Sequence, residues 1–155
     1  TVQYDFCLPD RFNLTYIDTD GQEKRTLVVH RSSIGAIERV MAFLIEHYAG
    51  AFPLWLAPIQ VKLLPISENH LDYAQAVGGA LQKAGIRFEL DSSNESLGKK
   101  VRNAKLEKVP YYIVIGDQEV TAQTLGIEHR TEGKIGSLSL TDFIQRLTEE
   151  IATKK

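Results

Sequence analysis

An arginine on the polar side of a predicted helix is the first candidate for chemistry in this sequence. Apolar side chains recur at helical spacing between residues 34 and 48, at Ile34, Ile37, Val40, Met41, Leu44, Ile45 and Tyr48. At ~100° per residue, Arg39 projects opposite the centre of that apolar stripe, where a guanidinium could meet a phosphate. Gly35 near the helix start would let a backbone or a ligand approach closely. From spacing alone, the commoner interpretation is a solvated surface arginine.

A histidine and a glutamine on predicted strands are weaker candidates. His30 ends one strand, and a single histidine in such a place is most often a hydrogen-bonded structural residue. The one cysteine, Cys7, excludes an internal disulfide and a cysteine-rich zinc site. The other histidines show no ligand spacing with His30: they are His47, His70 and His129. Gln3 lies on the polar face of the first predicted strand and is as compatible with solvent as with a binding pocket.

Basic side chains crowd one predicted helix in the second half of the chain, at Lys99, Lys100, Arg102, Lys105 and Lys108. Such a run usually marks a solvated helix face. The whole chain has 18 basic and 20 acidic residues and a net charge of −2, so no global basic field points to nucleic acid. A contact with RNA phosphates would therefore have to come from this local basic patch.

The first 49 residues are predicted to form an antiparallel sheet fragment with one helix. Strands are expected over 2–8, 12–17 and 26–30, with Asp18-Thr19-Asp20-Gly21 as a hairpin turn and a turn at Pro9-Asp10. The helix from Ile34 to Tyr48 is expected to pack on the sheet. Three strands and one helix are thin for an independent domain, and fit part of a larger sheet.

Residues 50–57 are predicted to connect this piece to a second domain over 58–155, in which strands and helices alternate. Strands are expected at 59–64, 86–90 and 111–115, with a weaker strand region at 119–130 and its partner at 134–138. Helices are expected to start at Asn69, Ser93 and Ser139. The predicted fold class is α/β, with a mixed, mostly parallel five-stranded sheet flanked by helices.

The segment around Arg39 resembles motif 3 of class II aminoacyl-tRNA synthetases. The matching residues are Gly35-Ala36-Ile37-Glu38-Arg39, preceded by His30-Arg31 and followed by Phe52-Pro53-Leu54-Trp55-Leu56-Ala57-Pro58-Ile59-Gln60. This longer pattern is similar to threonyl-tRNA synthetases rather than to the prolyl, glycyl or histidyl enzymes. The similarity covers essentially all 155 residues. It implies the last part of a class II catalytic domain followed by an anticodon-binding domain.

The resemblance implies roles for residues of the first half. Arg39 would contact the ATP triphosphate during adenylate formation, with Gly35 beside it, and Gln3 would face the amino-acid pocket. His30 would be one of three protein ligands of a catalytic zinc, the other two lying outside this chain. Ala36 stands where relatives often have a serine that contacts the nucleotide, so it is not expected to make that contact.

The resemblance also implies residues that read the tRNA anticodon, namely Asn94, Arg102 and Glu119. A glutamate can accept hydrogen bonds from N1–H and N2–H of guanine, the middle base of threonine anticodons, which suits Glu119. Relatives have Arg-x-Arg in the following strand, whereas this chain has Glu128-His129-Arg130. A carboxylate at Glu128 would repel phosphate. Readout would then shift to neighbours such as Arg130, or the affinity would fall.

The predicted function is that of a threonine–tRNA ligase, an ATP-dependent enzyme of the cytoplasm with Zn²⁺ and Mg²⁺ in the intact homodimer. This piece is expected to hold no cofactor, to be inactive alone, to be a monomer or to associate through exposed sheet edges, and to bind the anticodon loop. No apolar run is long enough to span a membrane. A non-catalytic anticodon-binding-like module is the alternative. A small doubly wound redox or nucleotide-binding domain is weaker, because no Gly-rich loop follows the strand at 59–64.

Overall fold

The computed structural model describes residues 2–154, which divide into two compact units at Leu44/Ile45. The division falls inside a helix. Residues 50–57, the predicted connector, therefore belong to the second unit together with the alternating strands and helices.

The first unit contains two antiparallel strand pairs rather than one three-stranded sheet. Its elements are β1 (Val2–Asp5), α1 (Cys7–Arg11), β2 (Thr15–Ile17), β3 (Glu23–Arg25), β4 (Val28–Arg31) and the start of α2 (Ile37–Tyr48). β1 pairs with β4 and β2 pairs with β3. The predicted hairpin turn at Asp18–Gly21 is confirmed, with Gly21 at a φ of +75°.

The predicted strand over 2–8 is wrong beyond Asp5, because the Asp5 side chain starts a helix. Its Oδ1 accepts hydrogen bonds from the backbone N–H groups of Cys7 and Leu8, at 2.9 Å each. Such a side-chain acceptor satisfies the free N–H groups of a first helical turn. The predicted turn at Pro9-Asp10 therefore lies within α1.

Burial of the α2 stripe is not observed within the described residues. The helix begins at Ile37 rather than Ile34, because Ala36 before it has a φ of +55°. No residue of α2 is buried, and Ile37 and Met41 are 65% and 56% exposed. Within residues 2–44 only Pro9 is buried, so this unit has an apolar surface and almost no core of its own.

The second unit is built on the predicted five-stranded sheet, in the order β6-β5-β7-β8-β9. Its strands are β5 (Val61–Pro65), β6 (Phe88–Leu90), β7 (Tyr111–Ile115), β8 (Thr124–His129) and β9 (Gly133–Ser139). β5 pairs in parallel with β6 and β7, whereas β8 pairs antiparallel with β7 and β9. Two of the four pairings are parallel and two are antiparallel, so the sheet is mixed, as predicted, and β8 runs against the other four strands.

Helices cover both faces of this sheet, as predicted. They are α3 (Leu71–Lys83), α4 (Leu97–Leu106), α5 (Asp117–Ala122) and α6 (Leu140–Thr153). The main core joins α3 and α6 to one sheet face through Leu63, Leu81, Ile113 and Phe143. A smaller cluster joins α4 to the other face through Leu64, Ala104 and Tyr112. Each buried aliphatic or aromatic side chain contributes roughly 1.5–3 kcal/mol.

Three predicted element boundaries in this unit are corrected. A 3-10 turn at Glu68–His70 precedes α3, so Ser67 rather than Asn69 begins that helical segment. Helix α4 starts at Leu97, with Ser93 still in the preceding loop. The predicted strand over 119–130 starts only at Thr124, because residues 117–122 form α5. The cap predicted at Ser139 is confirmed by its bond from the Asp142 N–H, at 3.1 Å.

Candidate nucleic-acid interface

The carboxyl ends of the three parallel strands bring two of the predicted reader residues to one edge of the sheet. Asn94 is exposed in the loop after β6, and Glu119 lies in α5 just after β7. β5 lies between β6 and β7: the chain crosses from β5 to β6 on one side and then from β6 back past β5 to β7, so the strand order reverses at this edge. Such a switch point is where open α/β sheets commonly bind ligands.

One carboxylate oxygen of Glu119 is used by the fold and the other is left available. Oε2 accepts the backbone N–H of Gly116 at 2.9 Å, which fixes the side chain at the start of α5. Oε1 accepts no hydrogen bond from residues 2–154. It lies 3.2 Å from the point where a Cβ would stand on Gly126, so a side chain at that position of β8 would crowd this oxygen. Sequence reasoning had not selected Gly126.

Beside Glu119, the sheet presents a polar surface on the side that α4 covers only in part. We call this surface the open face and define it by Glu119, Gly126, Glu128, Lys134 and Ser137. Gly126 pairs with Ser137 and Glu128 with Lys134 across β8 and β9, so these side chains share one side of the sheet. Lys134 and Ser137 are exposed, and the other three are half-buried.

Glu128 is held on this face by a tyrosine. The Tyr112 hydroxyl donates to Glu128 Oε2 at 2.5 Å. Burial, and then the neighbouring carboxylate, raise the pKa of Tyr112 well above its usual range. Lys105 Nζ stands 6.0 Å from the centre of the Tyr112 ring, within reach of a cation–π contact. The carboxylate is thus engaged from one side and half-buried.

The predicted basic patch on α4 is smaller than the sequence suggested. Lys100 turns inward and is 3% exposed, and Lys108 lies beyond the helix, where it donates to the Ala49 carbonyl. Lys99 pairs with Glu95 at 2.7 Å, at the helix start. Arg102 is exposed and forms no ion pair with any of residues 2–154. The cations that α4 offers to a polyanion are therefore Lys99, Arg102 and Lys105.

Arg130, a predicted reader, lies at the opposite end of β7 from Glu119. It follows His129, the partner of Tyr111 at the amino end of that strand. Its guanidinium donates to the carbonyls of Lys108, at 2.7 Å, and Phe52, at 2.9 Å. Burial lowers the pKa of Arg130, and its Nε is buried with no hydrogen-bond partner among residues 2–154. The structure thus separates Arg130 from Asn94 and Glu119.

A histidine that sequence reasoning passed over joins two of the edge loops. His70 is 5% exposed, and its Nδ1 accepts the backbone N–H of Ser67 at 3.2 Å. That bond leaves Nε2–H to donate to Oδ1 of Asp117, 2.9 Å away, at the start of α5. Ser67 and His70 have the spacing of a capping box, and this spacing is the sequence signal from which the role of His70 could have been predicted.

In the first unit, Gln3 and His30 are brought together, since they are directly paired across β1 and β4. His30 Nε2 lies 2.9 Å from Oδ2 of Asp5, which is two residues from Gln3 on the same strand face. Hydrogen bonds from the Leu8 backbone, and then from His30, lower the pKa of Asp5. Arg39 is exposed on α2 and Gly35 has open space around it.

The donors around His30 do not complete a zinc site. No group of three His, Cys, Asp or Glu side chains within residues 2–154 could hold a metal ion. A structural or catalytic zinc needs at least three protein ligands, and the ligand type paired with His30 within residues 2–154 is the single carboxylate of Asp5. A zinc at His30 would need ligands from outside these residues.

The second unit is an α/β domain, with a mixed five-stranded sheet, helices on both faces and a polar open face. The family model described as "Anticodon binding domain" matches residues 60–150. The chain belongs to the anticodon-binding domain family. No helix within residues 2–154 is long and apolar enough to cross a membrane.

Curated relatives and solved structures agree with this family. The chain is 50% identical over 155 residues to the threonine–tRNA ligase of Acetivibrio thermocellus, covering all of this chain and 24% of that protein. It is 49% identical over 154 residues to that of Caldanaerobacter subterraneus subsp. tengcongensis, covering 99% of this chain and 24% of that protein. The chain spans about a quarter of the length of these relatives.

Two solved structures extend the comparison. The RNA-binding domain of threonyl-tRNA synthetase from Cryptosporidium parvum Iowa II superposes with a TM-score of 0.70 at 33% identity, over 96% of this chain and 38% of that one. Histidyl-tRNA synthetase from Nostoc sp. PCC 7120 gives a TM-score of 0.56 at 20% identity, over 61% of this chain and 23% of that one. The second likeness concerns the fold alone.

Proposed function

We propose that this chain is part of a threonine–tRNA ligase and that its second unit binds the anticodon loop of threonine tRNA. Relatives named threonine–tRNA ligase, about 50% identical over the whole chain, support this proposal. The family match over residues 60–150 supports the assignment of RNA binding to the second unit. The open face is the surface that suits such binding best.

The observation that supports base reading most directly is the free Oε1 of Glu119. Guanine presents N1–H and N2–H on its Watson–Crick edge, and a carboxylate accepts both kinds of donor. Because Gly116 already holds Oε2, the side chain is oriented before RNA arrives. Asn94 at the same edge would supply a further contact to the loop. Arg102 and Lys105 would contact the phosphates.

The first unit would contribute to amino-acid activation in the complete ligase. Arg39 has no ion pair within residues 2–154, so its guanidinium is available for the phosphates of Mg²⁺-bound ATP. Gln3 and His30, paired on one strand face, would line the threonine pocket, and a zinc there would supply a ligand position for the substrate. The complete ligase would act as a cytoplasmic homodimer. We expect no aminoacylation by residues 1–155 alone.

The test is binding of residues 1–155 to two anticodon stem-loops of threonine tRNA, one with guanine and one with adenine at the middle position. Titration at low and at moderate salt separates base choice from phosphate attraction, because only the latter weakens steeply with salt. A preference for guanine that persists at moderate salt supports the proposal. Equal binding to both loops that vanishes with salt refutes base reading by this domain.

A further inference from the structure

A buried lysine joins the ends of two strands beneath the loop that contains Asn94. Lys100 is 3% exposed, and its Nζ donates to the backbone carbonyls of Pro65 and Asp91, at 3.1 Å each. Pro65 ends β5, and Asp91 follows β6 directly. Within residues 2–154 Lys100 has no carboxylate in ion-pair contact. An ammonium buried without a carboxylate is costly unless its donors find acceptors, and these two carbonyls take two of its three N–H groups.

The same hydrogen bonds fix the first residue of the loop. The backbone N–H of Asp91 donates to the carbonyl of Leu63 at 3.0 Å, while its own carbonyl accepts from Lys100. The Asp91 carboxylate then accepts the backbone N–H of Ser93 at 3.0 Å, which turns the chain. Asn94 is the next residue. The position of Asn94 relative to β5 is therefore set through Asp91, and Lys100 is the side chain that ties Asp91 to the β5 end.

We propose that Lys100 is a positioning residue for RNA reading: it fixes the loop over residues 91–96 so that Asn94 meets its base. This inference rests on the proposed function. Lys100 itself does not touch RNA, because its side chain is buried under the loop. Glu119 is independent of it, since that residue follows β7 and is oriented by Gly116.

The first variant is Lys100→Met, which keeps an unbranched side chain only one heavy atom shorter and removes its donors. The carbonyls of Pro65 and Asp91 then have no partner and the loop becomes freer to move. Discrimination at the anticodon position that depends on Asn94 should fall about tenfold. This lies toward the lower end of the loss expected when one base-specific pair of hydrogen bonds is removed. Discrimination that depends on Glu119 should not change. Lys100→Arg retains a cationic donor and should recover part of the discrimination.

The matched control is Val101→Ala, the neighbouring residue of α4. Val101 packs on the cluster of Leu64, Ala104 and Tyr112, so its truncation lowers stability without removing a hydrogen bond to the loop. Stability of each variant is measured by chemical denaturation. A purely structural role for Lys100 would make Lys100→Met resemble this control at matched stability.

The experiment titrates wild type, Asn94→Ala, Glu119→Ala and the variants above with stem-loops substituted singly at each anticodon position. Asn94→Ala and Glu119→Ala identify which position depends on each residue. Reduced discrimination in Lys100→Met confined to the Asn94-dependent position supports the proposal. Unchanged discrimination there, or an equal reduction at both positions, overturns it.

A second measurement separates this proposal from the proposed function. If the wild-type protein discriminates at no position, base reading by the domain is refuted, and hydrogen exchange of the free protein then decides the case for Lys100. Faster exchange over 91–96 in Lys100→Met, with exchange over 117–122 unchanged, supports a positioning role for Lys100 in the loop. If Lys100→Met exchanges at the wild-type rate in both segments, the positioning role is overturned.

Discussion

Replacing Glu119 by glutamine tests base reading, because it exchanges one carboxylate oxygen for an NH₂ group and changes nothing else in the side chain. The wild-type carboxylate has two acceptor oxygens, and Gly116 N–H takes Oε2 at 2.9 Å. Glutamine has one acceptor oxygen and one donor amide. If the oxygen stays on Gly116, the NH₂ group faces the open face, where Oε1 stood beside Gly126. A guanine N1–H would then meet a donor instead of an acceptor.

The expected loss of guanine preference follows from the hydrogen bond that the variant cannot form with guanine. A good base contact contributes about 1–3 kcal/mol of discrimination, which is roughly 5- to 150-fold in relative affinity. Adenine has an acceptor at N1, so the amide of the variant can donate to it. Glu119→Gln should therefore reduce the preference for the guanine loop by at least about fivefold, up to reversal. Stability should change by less than about 0.5 kcal/mol because the bond to Gly116 is kept.

The assay is fluorescence anisotropy with the guanine and adenine stem-loops at one fixed salt concentration. Glu149→Gln is the control, because it removes the same charge from α6, which packs on the opposite face of the sheet. The control should strengthen or leave unchanged the binding of both loops alike. If Glu119→Gln retains the wild-type guanine preference, Glu119 does not read that base and the argument from its free oxygen is wrong.

Three further outcomes are expected. Arg102→Ala should weaken the binding of both stem-loops equally. Titration across salt concentrations should show the slope of log Kd against log salt reduced by about 0.7, the value for one phosphate that is no longer neutralised. Arg130→Ala should lower the free energy of unfolding, measured by chemical denaturation, by roughly 2–3 kcal/mol, because two carbonyls are left without a donor. Arg130→Lys should recover only part of this loss, because lysine lacks the forked guanidinium that reaches both carbonyls. Although burial opposes the ammonium form, bonds to Glu107 at 2.5 Å and Glu89 at 2.9 Å raise the pKa of Lys62. That stabilisation is present below about pH 10.5 and lost as pH rises through the higher folded pKa, so the midpoint of thermal unfolding should fall more steeply above that pH in wild type than in Lys62→Met.

Elements with a strong apolar pattern could be predicted from the sequence, and very short helices without such a pattern could not. Tyr111–Ile115 is a continuous apolar run and proved to be a buried central strand. The closing helix follows from its Ser139 cap and its buried Phe143 and Leu147. By contrast, α1 depends on the Asp5 carboxylate and α5 on Glu119. Each is too short for a helical period to show, so the local hydrogen bond alone decides it.

The predicted reader residues stay predictions, but the sequence carried a signal for the inward direction of one charged side chain near them and none for another. Lys100 follows Leu97 by three residues and precedes Ala104 by four, the positions that share the inner face of α4, so its burial had a sequence signal. Arg130 had none. Its partner Phe52 is 78 residues away along the chain, and only the folded chain brings the two together.

The surroundings of Glu128 indicate that different groups of the open face determine the affinity for RNA and the choice of base. Arg130 is tied to the carbonyl of Phe52, which weakens the idea that it takes over phosphate binding for Glu128. The Glu128 carboxylate instead accepts the Tyr112 hydroxyl, and on β8 it lies two residues from Gly126, which adjoins Glu119. The centre of the face therefore offers acceptors to the donors of a base, and cations stand at its sides on α4 and β9. Salt screens the cations far more than a short hydrogen bond, so affinity should fall with salt while the guanine preference stays nearly constant.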